Sequence, residues 1–297
     1  MQAENIMSFN EFKEKIKEAV AAKVTGEVSI QKVQKNNGVE LNGLMIITEE
    51  TNISPMIYLD NYYEYYKENG LDGIVENIIE TYRNRKPTKN MEVEFFTDIE
   101  RVRPKIKMRL INYEKNTELL KNVPHVRYID LAVVFTVIIQ ADRNSCDSVL
   151  VHNNYLRFWK VDATELYNIA MENTKDDYEM ISMASLIEDM PADDSVGVSM
   201  DDLEIPMYIL TNYSKLYGAT GMVHKEILES FMKEMQAQKL VILPSSTHEV
   251  ILIPCDEIRE FSKFSRMVKE VNATQLQPEE ILSDNAYLFD GNQIEII

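Results

Sequence analysis

The spacing of apolar and polar residues predicts a small α+β segment at the start of the chain. Ser8 and Glu11 form a capping-box pair, and the apolar residues after them recur at helical spacing as far as Val20. A β-hairpin is expected next, with apolar positions on both sides of the turn Asn36-Asn37-Gly38 and a bulge at Gly43.

Two further helices are predicted to complete this segment. The first is the tyrosine-rich run from Leu59 to Asn69, which closes at Gly70, a residue typical of helix C-termini. The second carries an apolar stripe that begins at Leu71 and recurs at helical spacing. The polar stretch 83–90 then interrupts the pattern, so we expect a small α+β domain over residues 1–88 and a larger one over 89–297.

The pattern changes to period two after this boundary. Residues 105–112 alternate between apolar and basic positions and predict a strand, and the β-branched run 126–140 predicts buried strand structure. Asp162 and Glu165 provide N-cap chemistry for a helix. Residues 188–204 are rich in Asp and predict an acidic surface loop.

The last third contains the most regular patterns. Extended segments are expected at 207–210 and 217–223, followed by a helix whose apolar residues Leu228 and Phe231 should pack on a sheet containing Ile242 and Ile251. Two apolar runs around residues 244–247 predict a second hairpin, and a helix over 256–271 and a closing strand pair follow.

Hairpins and helices therefore alternate without a strict strand-helix-strand period. This order favours an α+β fold with mixed or antiparallel sheets built from hairpins and packed helices, rather than a doubly wound parallel sheet.

Composition narrows the function classes. The chain of 297 residues has a net charge of -18, so the summed field disfavours binding to nucleic acid, which depends on neutralising phosphates. The two cysteines are far apart in sequence, the N-terminal residues lack the pattern of a secretory signal, and no apolar run is long enough to span a bilayer. We therefore expect a soluble cytoplasmic protein.

Several long runs resemble a known family. These are the sequence from Tyr208 to Pro254, the run VKEVNATQLQPEEILSDNAYLFD, and near the start KNNGVELNGLMI followed by ISPMIYLDNYYEYY. They are similar to a bacterial cytosolic family that is catalogued only as a domain of unknown function. WKVDATELYNIAMENT and the segment from Tyr217 to Pro254 also resemble, more distantly, the layout of a second uncharacterised bacterial cytosolic family. The resemblance implies no activity, cofactor or site residue.

Known binding motifs are missing from the sequence. The glycines form neither a dinucleotide-binding fingerprint nor a phosphate loop, and the four histidines lack the spacing of zinc ligands. The run Gly218-Ala219-Thr220-Gly221 has the form of an RNA-binding GxxG loop but apolar neighbours, which favours a plain strand. The sequence predicts no cofactor and no metal.

Basic residues alternate over one stretch of this acidic chain. These residues are Arg101, Arg103, Lys105, Lys107 and Arg109. On a strand they would keep a sheet edge soluble, or they would hold an acidic partner or a phosphate; RNA binding through them is a further alternative that the net charge opposes.

The densest group of candidate catalytic residues is the expected tip of the second hairpin. It contains Ser245, Ser246, Thr247, His248 and Glu249. A serine nucleophile needs a histidine base within hydrogen-bond reach, whereas neighbouring strand residues point to opposite faces. The turn interpretation is preferred, and Ser245, Ser246, His248 and Glu249 are the residues to inspect for a hydrolase or transferase.

Two function classes remain open at this stage. The leading hypothesis is a non-enzymatic cytosolic protein that acts through contacts with an unidentified protein partner. The alternative is a hydrolase or transferase with a site near the 244–249 hairpin tip. Proximity of His248 to another polar side chain in a concave pocket would favour the enzyme.

Overall fold

The computed structural model describes residues 6–49, 53–86, 93–141, 146–188, 205–256 and 261–297. It has an α+β fold in which every strand pair is antiparallel, as the sequence predicts. The chain divides into two compact units. Unit 1 consists of Met1–Lys35 and Val39–Phe95, and unit 2 consists of Asn36–Gly38 and Phe96–Ile297. Residues 189–204 of the predicted acidic loop 188–204, and residues 87–90 of the polar stretch 83–90, lie outside the described residues.

Unit 1 combines helices with a three-stranded sheet in the order β1-β2-β3. Its elements are α1 (Phe9–Ala21), β1 (Glu27–Gln34), β2 (Glu40–Ile47), β3 (Ile57–Tyr58), α2 (Leu59–Asn69), α3 (Ile74–Arg85) and the start of α4 (Val93–Thr97). The Ser8 side chain caps α1 together with Glu11, which confirms the capping box. Phe12, Ile16 and Val20 bury the apolar face of α1 against the sheet and the other helices.

The bulge predicted at Gly43 is wrong. β1 and β2 pair in unbroken register, with Gln31 opposite Gly43. The glycine is instead explained by close packing, because a Cβ atom there would lie 2.4 Å from the side chain of Met56.

The described strands of unit 2 form two sheets. The first has four strands, in which β4 (Ile106–Asn112), β5 (His125–Tyr128) and β7 (Cys146–Leu150) all pair with β6 (Leu131–Ala141). The second has six strands in the order β13-β12-β10-β11-β9-β8. These strands are β8 (Tyr178–Ser182), β9 (Tyr208–Asn212), β10 (Lys239–Pro244), β11 (Val250–Cys255), β12 (Tyr287–Phe289) and β13 (Ile294–Ile296).

Helices are interspersed among these strands along unit 2. They are α5 (Ile99–Val102), α6 (Thr117–Leu120), α7 (Asn153–Trp159), α8 (Ala163–Thr174), α9 (Met183–Glu188), α10 (Lys225–Glu234) and α11 (Phe261–Thr274). Asp162 caps α8 by accepting from the backbone N–H of Glu165, as the sequence predicts. Trp159 is a core residue, 4% exposed, whose indole N–H donates to the carbonyl of Phe96 at 2.8 Å.

The predicted basic strand face is wrong. Arg101 lies in α5, and Arg103 and Lys105 belong to the 3₁₀ turn Arg103–Lys105, so only Lys107 and Arg109 lie on β4. The turn contains Pro104, which fixes φ and starts the turn before the strand.

The strand expected at 217–223 is also wrong, because Gly218–Val223 forms a 3₁₀ helix. All six of its residues are buried, so apolar spacing could not distinguish this turn from a strand. A Cβ atom on Gly218 would lie 2.4 Å from the backbone nitrogen of Asn212 and 2.6 Å from the carbonyl oxygen of His248. Only glycine allows this close approach.

The six-stranded sheet is covered differently on its two faces. Val241 and Leu243 pack toward Val268 of α11, and Ile251, which pairs with Leu243, lies on that same face. Ile242 therefore faces the other way, so the sheet that contains both Ile242 and Ile251 presents them on opposite faces. Phe231 of α10 packs at 5.0 Å, centroid to centroid, on Tyr208, whose register places it on the Ile242 face.

One carboxylate links the two sheets of unit 2. Asp130, in the turn between β5 and β6, accepts hydrogen bonds from the Ser283 hydroxyl at 2.7 Å, the Asn285 amide at 2.9 Å and the Tyr287 hydroxyl at 2.8 Å. The preceding residue, Ile129, has a φ of 59°, which is rare for a β-branched side chain. The strained turn thus directs Asp130 toward the segment that enters β12.

Truncating Phe231 tests the packing of α10. We expect Phe231→Ala to lower the free energy of unfolding by about 3 to 5 kcal/mol, because it leaves a cavity beside the sheet. Urea denaturation is the measurement, with Lys233→Ala on the exposed side of the same helix as control. A loss within ~0.5 kcal/mol for Phe231→Ala would show that α10 does not cover this sheet.

Candidate functional site

The loop 245–249 joins β10 to β11 and is held on two sides. The backbone N–H of Ser246 donates to the Glu249 carbonyl at 3.2 Å, which closes the loop. The N–H of Thr247 donates to the carbonyl of Glu280 at 2.9 Å, in the 3₁₀ turn Pro278–Glu280. Ser246 and Thr247 are 7% and 4% exposed, so the hairpin tip is covered.

The loop hydroxyls do not meet the imidazole of His248. Ser245 donates its hydroxyl to the Glu249 carboxylate at 3.2 Å, and the Ser246 oxygen accepts from the backbone N–H of His248 at 3.0 Å. A serine nucleophile would need its oxygen beside an imidazole nitrogen. The four candidate residues are thus neighbours that engage one another mainly as a turn.

The His248 ring is turned toward other segments. Its Nδ1 accepts the backbone N–H of Tyr217 at 3.1 Å, so the proton of the neutral ring is on Nε2, which lies 3.9 Å from the Glu280 carboxylate. Burial lowers the pKa of His248 and the Arg109 charge lowers it further, although Glu280 and Glu249 oppose this shift. The neutral ring at pH 7 therefore acts as a fixed acceptor for Tyr217.

Tyr217 connects this loop to a cleft of about 100 Å³. The cleft lies between the face of β4 and β6 and the residues that follow β9. Its lining includes Lys107, Arg109, Thr136, Tyr178, Asn212, Tyr217 and Thr220. These residues come from five separate chain segments, and the fold alone brings them together.

The Arg109 guanidinium stacks on the Tyr217 ring in one wall of the cleft, at 3.7 Å from the ring centroid. Arg109 also donates a hydrogen bond to the Ser148 hydroxyl across the sheet. Tyr217 has a φ of 60°, a left-handed backbone that is uncommon for a bulky residue. This backbone and the hydrogen bond to His248 together hold the aromatic ring under the cation.

A second cation lines the same cleft. Lys107 lies two residues before Arg109 on β4 and forms an ion pair with Asp177. Both side chains of this pair are about one-third exposed, at 38% and 35%. With Arg109, Lys107 and Asp177 together, the cleft has a local excess of one positive charge.

The inner end of the cleft is neutral. Tyr178 donates its hydroxyl to Thr220 at 2.9 Å, and burial raises the Tyr178 pKa to about 12. Thr174 and the Nε2 of His224 share a hydrogen bond of 3.1 Å, and burial lowers the pKa of His224. The charged groups that a ligand would contact in this cleft therefore lie on the side of Lys107 and Arg109.

Sequence reasoning identified Lys107 and Arg109 as basic but missed Tyr217, Asp177 and Tyr178. Tyr217 was assigned to a strand, and Asp177 and Tyr178 lie in a polar stretch that matches no known motif. Among the described residues, no group of three His, Cys, Asp or Glu side chains could hold a metal ion. No helix in the described part of the chain is long and apolar enough to cross a membrane.

Because the loop is covered, replacing its two serines by alanine should lower the free energy of unfolding by different amounts. Ser246→Ala should lower the free energy of unfolding by about 1 to 3 kcal/mol, because it leaves the N–H of His248 without its acceptor in a buried site. Ser245→Ala is the matched control and should cost less than ~1 kcal/mol, since its partner Glu249 remains partly solvated. Equal costs in urea denaturation would contradict this structure of the loop.

The buried His224 and the partly buried His248 predict a loss of stability in mild acid. Folding lowers the pKa of His224 and His248, so the unfolded chain binds more protons once the pH falls below the ordinary value of 6.5. The contribution of the two neutral histidines to the free energy of unfolding is therefore fully present above pH 6.5 and is lost as the pH falls below that value. Denaturant unfolding at about pH 7.5 and pH 5.5 should show a smaller acid loss in His224→Gln and His248→Gln than in wild type.

The exposed His152 provides the control for this measurement. His152→Gln should retain the wild-type dependence on pH. If all three variants match the wild type, the lowered pKa values contribute nothing measurable to stability.

Comparison with known proteins identifies a family. No curated protein and no solved structure matches the chain. Residues 9–291 match a family of unknown function, DUF5688, and this match covers both units. The chain therefore belongs to the family of unknown function DUF5688.

Proposed function

We propose that this chain is a non-enzymatic binding protein of the bacterial cytoplasm that acts through contacts with a protein partner. The cleft in unit 2 would receive an anionic group of that partner, a carboxylate or a phosphoryl group. The observation that carries the proposal is the Arg109 guanidinium stacked on Tyr217 beside Lys107, in a chain whose net charge is -18.

The chemistry of the wall favours an anion. A guanidinium presents up to five N–H donors in a planar fork that matches a carboxylate or a phosphate, and stacking on an aromatic ring holds that plane in place. Lys107 adds a second cation on the same strand face. A cleft of about 100 Å³ has room for one small anionic group and not for a cofactor.

The geometry of the 245–249 loop supports binding over catalysis. The lone pair on Nδ1 of His248 is engaged by Tyr217, and the hydroxyl of Ser245 is directed to Glu249. The alternative, a hydrolase or transferase that uses Ser245, Ser246, His248 and Glu249, would require these groups to rearrange. The net charge also opposes nucleic acid as the partner.

Titration with small anions tests the proposal. We expect inorganic phosphate and acetate to shift the amide NMR signals of Tyr217 and Asn212, with dissociation constants of about 1 mM, as for a small ligand held by few contacts. Arg109→Met should weaken binding at least about tenfold, because the fork is lost. Lys107→Met should weaken it less.

Lys115→Met is the matched control. Lys115 has the same 38% exposure as Lys107 and also forms an ion pair, with Asp284, but it does not line the cleft. If Arg109→Met fails to fold, Arg109→Lys keeps the charge and removes the planar fork. Unchanged affinity in the Arg109 variants, or no shift with either anion, contradicts the anion site.

A fluorophosphonate probe distinguishes the enzyme alternative. We expect no labelling of the wild type. Stoichiometric modification of Ser245 or Ser246 that His248→Ala abolishes would overturn the non-enzymatic proposal and support the hydrolase.

A further inference from the structure

A second cavity, of about 380 Å³, lies in unit 1 between α2 and the start of α3. Tyr62 and Tyr65 of α2 form one side, and Asp72 and Asn77 lie on the other. Ile74, which is 2% exposed, lines its interior. We refer to these residues as the tyrosine groove.

The tyrosines of α2 divide between two faces of the helix. Tyr66 stacks on Phe12 with 5.3 Å between ring centroids, and Tyr63 packs on the same ring at 5.3 Å, so this pair belongs to the core. Tyr65, in contrast, is 52% exposed, and Tyr62 lines the groove beside it. The fold of unit 1 does not require the Tyr65 ring at this position, because its neighbours Tyr63 and Tyr66 already fill the core.

The groove is partly preformed. The Tyr62 hydroxyl donates to the Asn77 side-chain oxygen at 2.7 Å, which links α2 to α3 and restrains the first ring. Restraint of an aromatic side chain before binding reduces the entropy cost of association.

Charge around the groove is strongly negative. Between Leu59 and Glu80 the only basic residue is Lys67, whereas the acidic residues are Asp60, Glu64, Glu68, Asp72, Glu76 and Glu80. Several of these carboxylates have partners, since Asp60 accepts from Asn42, Glu64 pairs with Lys67 and Glu76 pairs with Lys23. Within the described part of unit 1, no hydrogen bond or ion pair engages Asp72, the carboxylate that lines the groove.

We propose that the tyrosine groove binds a basic side chain, Arg or Lys, from an exposed segment of a partner protein. A cation is attracted to the faces of aromatic rings, and a carboxylate at the rim supplies the opposite charge. An anion would be repelled by Asp72 and its acidic neighbours, and a purely apolar group would gain nothing from them. The net charge of -18 also steers positively charged partners toward the chain.

This site is independent of the Arg109 cleft. It lies in the other unit, selects the opposite charge and uses different residues. The groove proposal therefore stands or fails by its own measurement.

Binding of a defined peptide to the full chain tests the groove. The probe is a fluorescent nine-residue Gly/Ser peptide with two Arg residues, and its partner probe replaces both Arg by citrulline, which has a similar shape and no charge. We expect saturable binding of the Arg peptide by fluorescence anisotropy and at least about tenfold weaker binding of the citrulline peptide. The variants Tyr65→Ala and Asp72→Asn should each bind the Arg peptide at least about fivefold more weakly than the wild type.

Two control variants separate the groove from general attraction to an acidic protein. Glu68→Gln removes the same unit of charge from α2 as Asp72→Asn removes from the groove, but Glu68 does not line the cavity. Tyr213→Ala removes a 67% exposed tyrosine from unit 2. Both controls should change the affinity less than about twofold.

The contradicting outcomes are distinct. If Glu68→Gln weakens binding as much as Asp72→Asn, the peptide is held by net charge and not by the groove. If the citrulline peptide binds as well as the Arg peptide, the groove does not select a cation. No saturable binding, or full binding by a folded Tyr65→Ala variant, also overturns the proposal.

Discussion

The carboxylate of Asp130 joins the two sheets of unit 2 through side-chain hydrogen bonds. A partly buried carboxylate is costly unless its oxygens accept hydrogen bonds, and here three side chains from the segment before and within β12 supply them. Burial raises the pKa of Tyr287 above its ordinary value, so this hydroxyl stays protonated as a donor. Asp130 therefore couples the turn before β6 to the six-stranded sheet. The unusual φ of Ile129 is a local backbone strain, and the hydrogen bonds of Asp130 compensate for it.

The cleft is lined by residues of both of these sheets. Lys107 and Arg109 belong to the four-stranded sheet, while Tyr178 and Asn212 belong to the six-stranded one, so their separation depends on how the two sheets are held. Tyr217 completes the wall through a left-handed backbone and a hydrogen bond to His248. Residue chemistry that is ordinary in each segment becomes a cation-lined cavity only when both sheets are in place.

Sequence patterns predicted those parts of the fold that local periodicity determines. The capped helix α1, the tyrosine-rich helix α2 with Gly70 after it, and the closing strand pair all show spacing that only one element satisfies. The strand prediction for 217–223 failed because burial on every side removes the periodic signal. The face of the sheet on which Ile242 and Ile251 each lie follows from the strand register. The cleft residues could not be grouped from sequence, because tertiary contacts alone bring them together.

The two proposed sites differ in their relation to the charge of the whole chain. At the tyrosine groove, the local carboxylates and the net charge of -18 both attract a cation, so added salt weakens binding by screening both. In the Arg109 cleft, the local cations attract an anion while the net charge repels it, so salt screens two opposing effects. Short-range contacts, the planar fork of Arg109 and its stacking on Tyr217, must therefore provide most of the selectivity there. Long-range electrostatic attraction therefore assists binding of a cation at the tyrosine groove, whereas binding of an anion in the Arg109 cleft depends on short-range geometry.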